Sequence, residues 1–273
     1  MIFVIIVSLL LSTVQPIKYP TVLLHGVLAS AKNMDGLKSM LEQSFDIDVY
    51  NIELGNGAIT SIFTPMNYQL DILCEEIYKI RELKNGFNFI GMSQGGLLAR
   101  GYVEYCNMYP VINLITLASP NGGVFYNTSA LEDEYEPEMQ KSLSISNYWR
   151  DPYRYQLYLE NSTYLAGLNQ EASSGRFQNN LDVLQNFIMV WSPIDDVITP
   201  PESAKFSLQY LEDGDRLVSI ELQETDLYRS GRLGLKRLQE SGRLVTFTTD
   251  CKHSQHKEPE CFTQLKPLFK LYL

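Results

Sequence analysis

The chain has 273 residues, 45% of them hydrophobic, and 22 Lys+Arg against 32 Asp+Glu give a formal charge of −10. That length suits a single α/β domain with a substantial core. The acidic balance excludes a nucleic-acid binder, because phosphate recognition needs a basic footprint, and it disfavours adsorption to anionic lipid.

Met1–Leu11 is a short apolar run followed by small and polar residues from Ser12. It is too short to span a bilayer and fits the apolar core of a cleavable signal peptide, here placed at residues 1–15, although no Lys or Arg precedes it. Residues 16–273 then form the mature domain, and no later segment is apolar enough to cross a membrane. Thr21–Leu24 reads as a buried strand ending at His25-Gly26, and Asp48–Leu54 as a second strand. Tyr68–Leu83 carries Leu70, Leu73, Ile77 and Ile80 at helical spacing, so one face should pack on a sheet. Phe87–Met92 reads as a strand, Gln94–Tyr105 as a helix and Val111–Leu117 as a strand. From about residue 120 to 186 the chain is rich in Tyr, Asn, Ser and Glu without a clear strand, which suggests a folded insertion over the carboxyl ends of the strands. Strand-like segments return at Phe187–Trp191 and Arg243–Thr248. This alternation predicts a mostly parallel sheet with helices on both faces.

Gly91-Met92-Ser93-Gln94-Gly95 lies where the strand Phe87–Met92 meets a helix. The spacing is that of a nucleophile elbow, in which a serine sits on a sharp turn and side chains at the flanking glycines would collide with the neighbouring strand and helix. A nucleophilic serine needs a base and a group to orient it. Of the three histidines, His25 precedes Ser93, whereas His253 and His256 follow the last predicted strand. The chain order serine, acid, histidine favours His253, nearer the strand end, with His256 as alternate and a surface position for whichever of the two is not the base. Asp195 and Asp196 follow the strand Phe187–Trp191; Asp195 is the preferred acid and Asp196 the alternate. The backbone N–H groups of Gln94 and Val27 are the expected oxyanion donors, with His25 and Gly26 shaping the loop that carries Val27.

Asn127-Thr-Ser and Asn161-Ser-Thr match the N-glycosylation pattern. The four cysteines lack metal-ligand spacing; in an oxidising compartment Cys74 with Cys106 and Cys251 with Cys261 would be sensible disulfides, although four cysteines allow three pairings. No metal or cofactor motif is present: no phosphate-binding or dinucleotide-binding glycine pattern follows a strand.

The chain resembles the palmitoyl-protein thioesterase family from about Tyr19 onward. The resemblance rests on Leu24-His-Gly, Gly91-Met-Ser-Gln-Gly-Gly-Leu, Asn147-Tyr-Trp-Arg-Asp-Pro, Tyr158-Leu-Glu-Asn-Ser-Thr-Tyr-Leu-Ala-Gly-Leu-Asn, Asp195-Asp-Val-Ile-Thr-Pro, Leu222-Gln-Glu-Thr-Asp-Leu-Tyr and Arg232-Leu-Gly-Leu-Lys. It implies an α/β-hydrolase with nucleophile Ser93, acid Asp195 and base His253. It also implies a lysosomal or secreted location, a glycan on Asn161 and a Cys74–Cys106 disulfide. Lys252 and Asp196 depart from the family pattern and bear on substrate preference. The expected substrate is a long-chain fatty acyl thioester, on an S-acylated protein or peptide or on acyl-CoA. The alternatives are a secreted lipase or carboxylesterase with the same catalytic residues, and a non-catalytic acyl-binding protein. A long acyl chain needs an apolar groove, for which Tyr148, Trp149, Tyr153, Tyr155 and Tyr158 are candidate lining; equally they are candidates for the insertion's own core.

Overall fold

The computed structural model describes residues 18–126, 133–173, 175–178, 181–212 and 216–273. The expected signal peptide and Asn127 lie outside them.

Six strands form one sheet: β1 (Thr21–Leu24), β2 (Val49–Ile52), β3 (Phe87–Met92), β4 (Val111–Leu117), β5 (Asn186–Trp191) and a last strand, Leu244–Thr248. Between β5 and that last strand, β6 (Leu208–Glu212) and β7 (Arg216–Ile220) make a separate antiparallel hairpin that the sequence pattern did not reveal, and Leu244–Thr248 is therefore β8. The sheet order is β2-β1-β3-β4-β5-β8, and every neighbouring pair is parallel. Strand order reverses between β1 and β3, and a parallel sheet opens a crevice beyond the carboxyl ends of the strands at such a point.

Both faces are covered, so the strands are nearly continuous apolar runs rather than alternating ones. Val22, Leu24, Phe87, Phe89, Leu114, Phe187 and Met189 join the core on one face; Leu23, Ile90, Met92, Ile115, Leu117, Ile188 and Val190 join the core on the other. The second face is closed by α1 (Asp35–Phe45), through Leu37 and Leu41, and by the C-terminal helix Pro259–Tyr272, through Leu265, Leu268 and Phe269. The first face receives α3 (Met66–Lys79), which follows the short α2 (Ala58–Phe63), and α4 (Gln94–Gly101). Leu70, Leu73 and Ile77 are the buried stripe of α3, as their spacing predicted, but the helix ends at Lys79 and a 3-10 turn carries the chain on to Asn85. The helix expected through Tyr105 keeps α geometry only to Gly101 and finishes in a π turn, Tyr102–Cys106. The stretch between β4 and β5 carries α5 (Pro137–Ser142), α6 (Tyr155–Asn161) and α7 (Leu165–Leu168), and α8 (Asp226–Arg229) and α9 (Leu235–Glu240) follow the hairpin. Pro259–Tyr272 is thus α10.

Two disulfides are formed. Cys74–Cys106 ties α3 to the π turn, and Cys251–Cys261 closes the loop between β8 and α10. A buried ion pair fixes α4 to its surroundings: Arg100 Nη2 lies 3.2 Å from Glu104 Oε1 and 3.0 Å from Asn169 Oδ1, and the guanidinium sits 4.6 Å from the centre of the Phe206 ring. Asn169 follows α7, so this contact docks the insertion on the helix behind the elbow. Burial outweighs Arg100 and pushes the Glu104 carboxyl up from 4.5 to about 8. A carboxyl raised on folding takes up its proton more readily in the native state, so the stability it contributes is full below 4.5 and is lost as pH rises through about 8. Chemical denaturation of the wild type and of Glu104→Gln across that range should therefore show a steeper fall of stability with pH in the wild type. Parallel profiles would show that Glu104 titrates normally.

Candidate active site

Ser93 ends β3 and opens α4 with φ 54° and ψ −127°, a conformation that a non-glycine residue holds only when its surroundings over-determine it. Its N–H donates to Leu117 O of β4 at 2.8 Å, and its carbonyl accepts from Gly96 N at 2.9 Å, which pins the turn on both sides. The neighbouring glycines are required by space. A Cβ on Gly91 would lie 2.6 Å from Gly96 Cα, and one on Gly95 would lie 2.6 Å from the Leu24 carbonyl oxygen of β1. The strand–turn–helix therefore closes around Ser93 at the β1/β3 reversal.

His253 follows β8 and starts a 3-10 turn, His253–Lys257. Its Nδ1 lies 2.9 Å from Asp195 Oδ2 and 3.1 Å from Oδ1. A carboxylate accepts, so Nδ1 carries the proton and Nε2 is left as the acceptor. Asp195 is itself held: Oδ1 accepts from Val197 N and Ile198 N, each at 2.9 Å. Burial raises the Asp195 pKa, but the His253 hydrogen bond and charge, together with those two N–H groups, outweigh it and leave the pKa below the usual carboxylate value. The stability Asp195 contributes is accordingly present above its ordinary pKa and is lost as pH falls through the depressed one.

Asp196, the alternate acid, does not face the imidazole. Its Oδ1 accepts from the His253 backbone N–H at 3.2 Å, and its Oδ2 lies 3.7 Å from Lys252 Nζ. Asp196 and Lys252 are thus paired with each other. His256, expected at the surface, is fully buried. Its Nδ1 donates to the His253 carbonyl at 3.1 Å, and its Nε2 lies 2.9 Å from Thr249 Oγ1. Burial is the main cause of its lowered pKa, and it braces the turn that presents His253. His25 is buried at the end of β1 with Nδ1 2.9 Å from Gly26 O and Nε2 3.0 Å from Glu53 Oε1. Both nitrogens are already engaged by these partners, so neither is left to accept the proton of Ser93. Glu53 was not singled out in the sequence, yet it is one residue beyond Ile52, which pairs with Leu24, and the register brings it opposite His25.

Ser93 and His253 line one cavity of about 320 Å³ at the carboxyl ends of β1 and β3. Its apolar lining comes from Val27, Leu28, Ala29, Met34, Met92 and Val197. Asn33, Ser254 and Lys257 form the polar part. Val27 thus borders the cavity, and Gln94 opens α4 next to Ser93, its side chain turned away to donate to Ser61 O and Gln69 Oε1. No described residue of the 120–186 stretch lines it. The aromatics of that stretch lie elsewhere, the buried ones in the core they share with the sheet and Tyr153 at an exposed position. Tyr148, Trp149 and Tyr158 are buried core, Tyr155 stacks on Tyr158, and Tyr153 packs against Phe125. Asn161 closes α6 at a partly exposed position. Among the described residues no group of His, Cys, Asp or Glu is gathered to hold a metal ion.

The arrangement provides a hydroxyl at a strained turn, an imidazole oriented by a carboxylate, and backbone N–H groups at a helix start, the parts an acyl transfer needs. The model of the palmitoyl protein thioesterase family matches residues 20–253. The chain belongs to this family. It is 39% identical over 249 residues to palmitoyl-protein thioesterase 3 of Dictyostelium discoideum, covering 87% of this chain and 86% of that protein. Palmitoyl-protein thioesterase 1 of Caenorhabditis elegans is 30% identical, with 86% of each chain covered. A lysosomal thioesterase of Xenopus laevis is 29% identical, with 84% of each covered. Among solved structures, a monoacylglycerol lipase of Paleococcus ferrophilus superposes with a TM-score of 0.54 at 13% identity, covering 92% of this chain and 93% of that one. A mature lipase of Bacillus licheniformis gives 0.52 at 15% identity, with 93% of each covered. These likenesses establish the α/β-hydrolase fold, and the family makes the chain a thioesterase-type hydrolase.

The contacts separate the two adjacent aspartates. Asp195→Asn should lower kcat by about 10⁴-fold, because the amide offers the wrong partner to Nδ1–H. Asp196→Ala should lower it by about tenfold through loss of one hydrogen bond to the His253 backbone, and Asp196→Asn, which keeps an acceptor oxygen, by less. Steady-state rates of the three variants on a thioester check this order; equal losses at both positions would contradict it.

Proposed function

We propose that the chain hydrolyses long-chain fatty acyl thioesters through a Ser93–His253–Asp195 acyl-enzyme mechanism. The observation that carries this reading is the Asp195–His253 hydrogen bond at the mouth of the cavity that Ser93 lines. As Ser93 Oγ attacks the thioester carbonyl carbon, its proton passes to His253 Nε2. Asp195 stabilises the imidazolium, and the N–H groups of Val27 and Gln94 receive the oxyanion. Collapse breaks the C–S bond, and His253 returns the proton to the departing sulfur. A water molecule then gives its proton to His253 and attacks the acyl-serine carbonyl, which releases the fatty acid and restores Ser93. The Cys thiol pKa of about 8.5 makes sulfur a better leaving group than an alcohol, so a thioester asks less of His253 as an acid. The apolar wall of Val27, Leu28, Met34 and Met92 suits an acyl chain, each buried CH₂ of which contributes about 0.8 kcal/mol.

The family membership supports a thioester over an oxygen ester, and the lysosomal thioesterases among the relatives support an acidic compartment reached through the secretory pathway. Two disulfides and the partly exposed Asn161 sequon accord with that route. Initial rates on a palmitoyl thioester and its oxygen-ester analogue test the reading, with Ser93→Ala as the blank. The thioester should be turned over faster, and the substitution should lower the rate by about 10⁵- to 10⁶-fold. A preference for the oxygen ester would identify a lipase or carboxylesterase. Rates equal in wild type and mutant would leave an acyl-binding protein.

A further inference from the structure

In a chain of net charge −10, the one permanently charged side chain among the described residues that line the cavity is Lys257, and no carboxylate is among them. Its place follows from the turn that carries the base. His253, Ser254 and Lys257 belong to one 3-10 turn, and all three line the cavity. The proposed mechanism sets the direction of the leaving group, because the proton on His253 Nε2 must reach the departing sulfur within hydrogen-bond distance. The sulfur therefore leaves on the side of His253, whose turn also brings Ser254 and Lys257 to the cavity. The side chains of Val27, Leu28, Ala29 and Met34, which also line the cavity, are apolar and carry no charge to pair with an anion on the carrier.

Lys257 Nζ donates to Glu258 Oε1 at 2.9 Å; its side chain is 20% exposed and that of Glu258 49%. An ammonium has three donors, so this single bond leaves donors for a ligand. Two further carboxylates lie near the turn and both are engaged, Asp195 by the His253 ring and Asp196 by Lys252 and the His253 N–H.

We propose that the 253–257 turn is a leaving-group subsite, in which Lys257, with Ser254 on its turn and Asn33 in the same cavity, selects thioesters whose thiol carrier bears an anion. The anion is a phosphate on a phosphopantetheine-type carrier or an acidic side chain close to an acylated cysteine. This rests on the thioesterase reading above and names its carrier specificity. Lys257 is a specificity-determining residue; it takes no part in bond making.

The test compares kcat/KM on four substrates with the same palmitoyl group. Two are small: palmitoyl-CoA, and palmitoyl N-acetylcysteamine, whose leaving group is neutral. The other two are S-palmitoyl peptides with Asp or with Asn beside the cysteine. In Lys257→Gln the ratio of anionic to neutral substrate should fall about fivefold in one pair or both, mainly through KM, as loss of a partly screened ion pair of about 1 kcal/mol would produce. Lys257→Arg should restore the ratio. Raising the salt concentration should lower the ratio in the wild type and leave it flat in Lys257→Gln. A fall confined to the CoA pair assigns the phosphate as the source, and one confined to the peptides assigns the acidic side chain. Ratios unchanged by Lys257→Gln in both pairs, with hydrolysis still abolished by Ser93→Ala, would overturn the subsite while sparing the thioesterase reading. Hydrolysis independent of Ser93 would remove the reading on which the subsite rests.

Discussion

The site depends on how tightly β3 and α4 close around Ser93. The turn leaves no room for side chains at Gly91 and Gly95, because the space each would fill already belongs to α4 or to the carbonyls of β1. That crowding holds Ser93 at φ 54°, and the hydrogen bond to Leu117 O joins the strained residue to the neighbouring strand. The cost of such a conformation, of order 1–3 kcal/mol, is offset by the core on either side. Phe87 and Phe89 anchor β3 on one face, and Ile90 and Met92 anchor it on the other. The serine is thus presented by a rigid scaffold rather than by a loop that must be ordered on binding.

The proposed base and its partner are delivered differently. Asp195 and His253 sit on loops after β5 and β8, adjacent parallel strands whose carboxyl ends lie side by side. The loops are stiffened by local bonds. Val197 N and Ile198 N hold the Asp195 carboxylate, Asp196 holds the His253 N–H, buried His256 holds the His253 carbonyl, and Cys251–Cys261 closes the segment at its base. The two adjacent carboxylates therefore act on different parts of one residue, Asp195 orienting the His253 ring and Asp196 positioning the backbone that carries it. Behind the elbow, the Arg100–Glu104 pair ties α4 to Asn169 after α7, so the insertion contributes to the site by supporting it from behind.

Much of this was legible in the sequence, and the reason is physical. β3 and β4 match their predicted limits because a strand buried on both faces reads as an apolar run, here interrupted at Gly86 and Pro110. The elbow was legible because its glycines answer a local steric demand. Features that depend on which residues meet across the fold were not. α1 and α10 are a different case: Leu37 and Leu41 in α1 and Phe262, Leu265 and Phe269 in α10 do recur at helical spacing, yet neither helix is among the elements expected from the sequence. The β6–β7 hairpin is mostly exposed on β7 and lacks an apolar pattern. The burial of His256 and the division of roles between Asp195 and Asp196 depend on tertiary contacts, and composition could not show that Tyr148 and Tyr158 join the main core while Tyr153 stays exposed.

The central claim is that the strained Ser93 is the one serine activated for acyl transfer. The most direct measurement is to treat the protein with a long-chain alkyl fluorophosphonate and locate the adduct by peptide mass mapping, with His253→Gln alongside. A single adduct on Ser93, formed much more slowly when His253 is replaced, is the predicted result. An adduct on another residue, or labelling of Ser93 at the same rate without His253, would contradict the account.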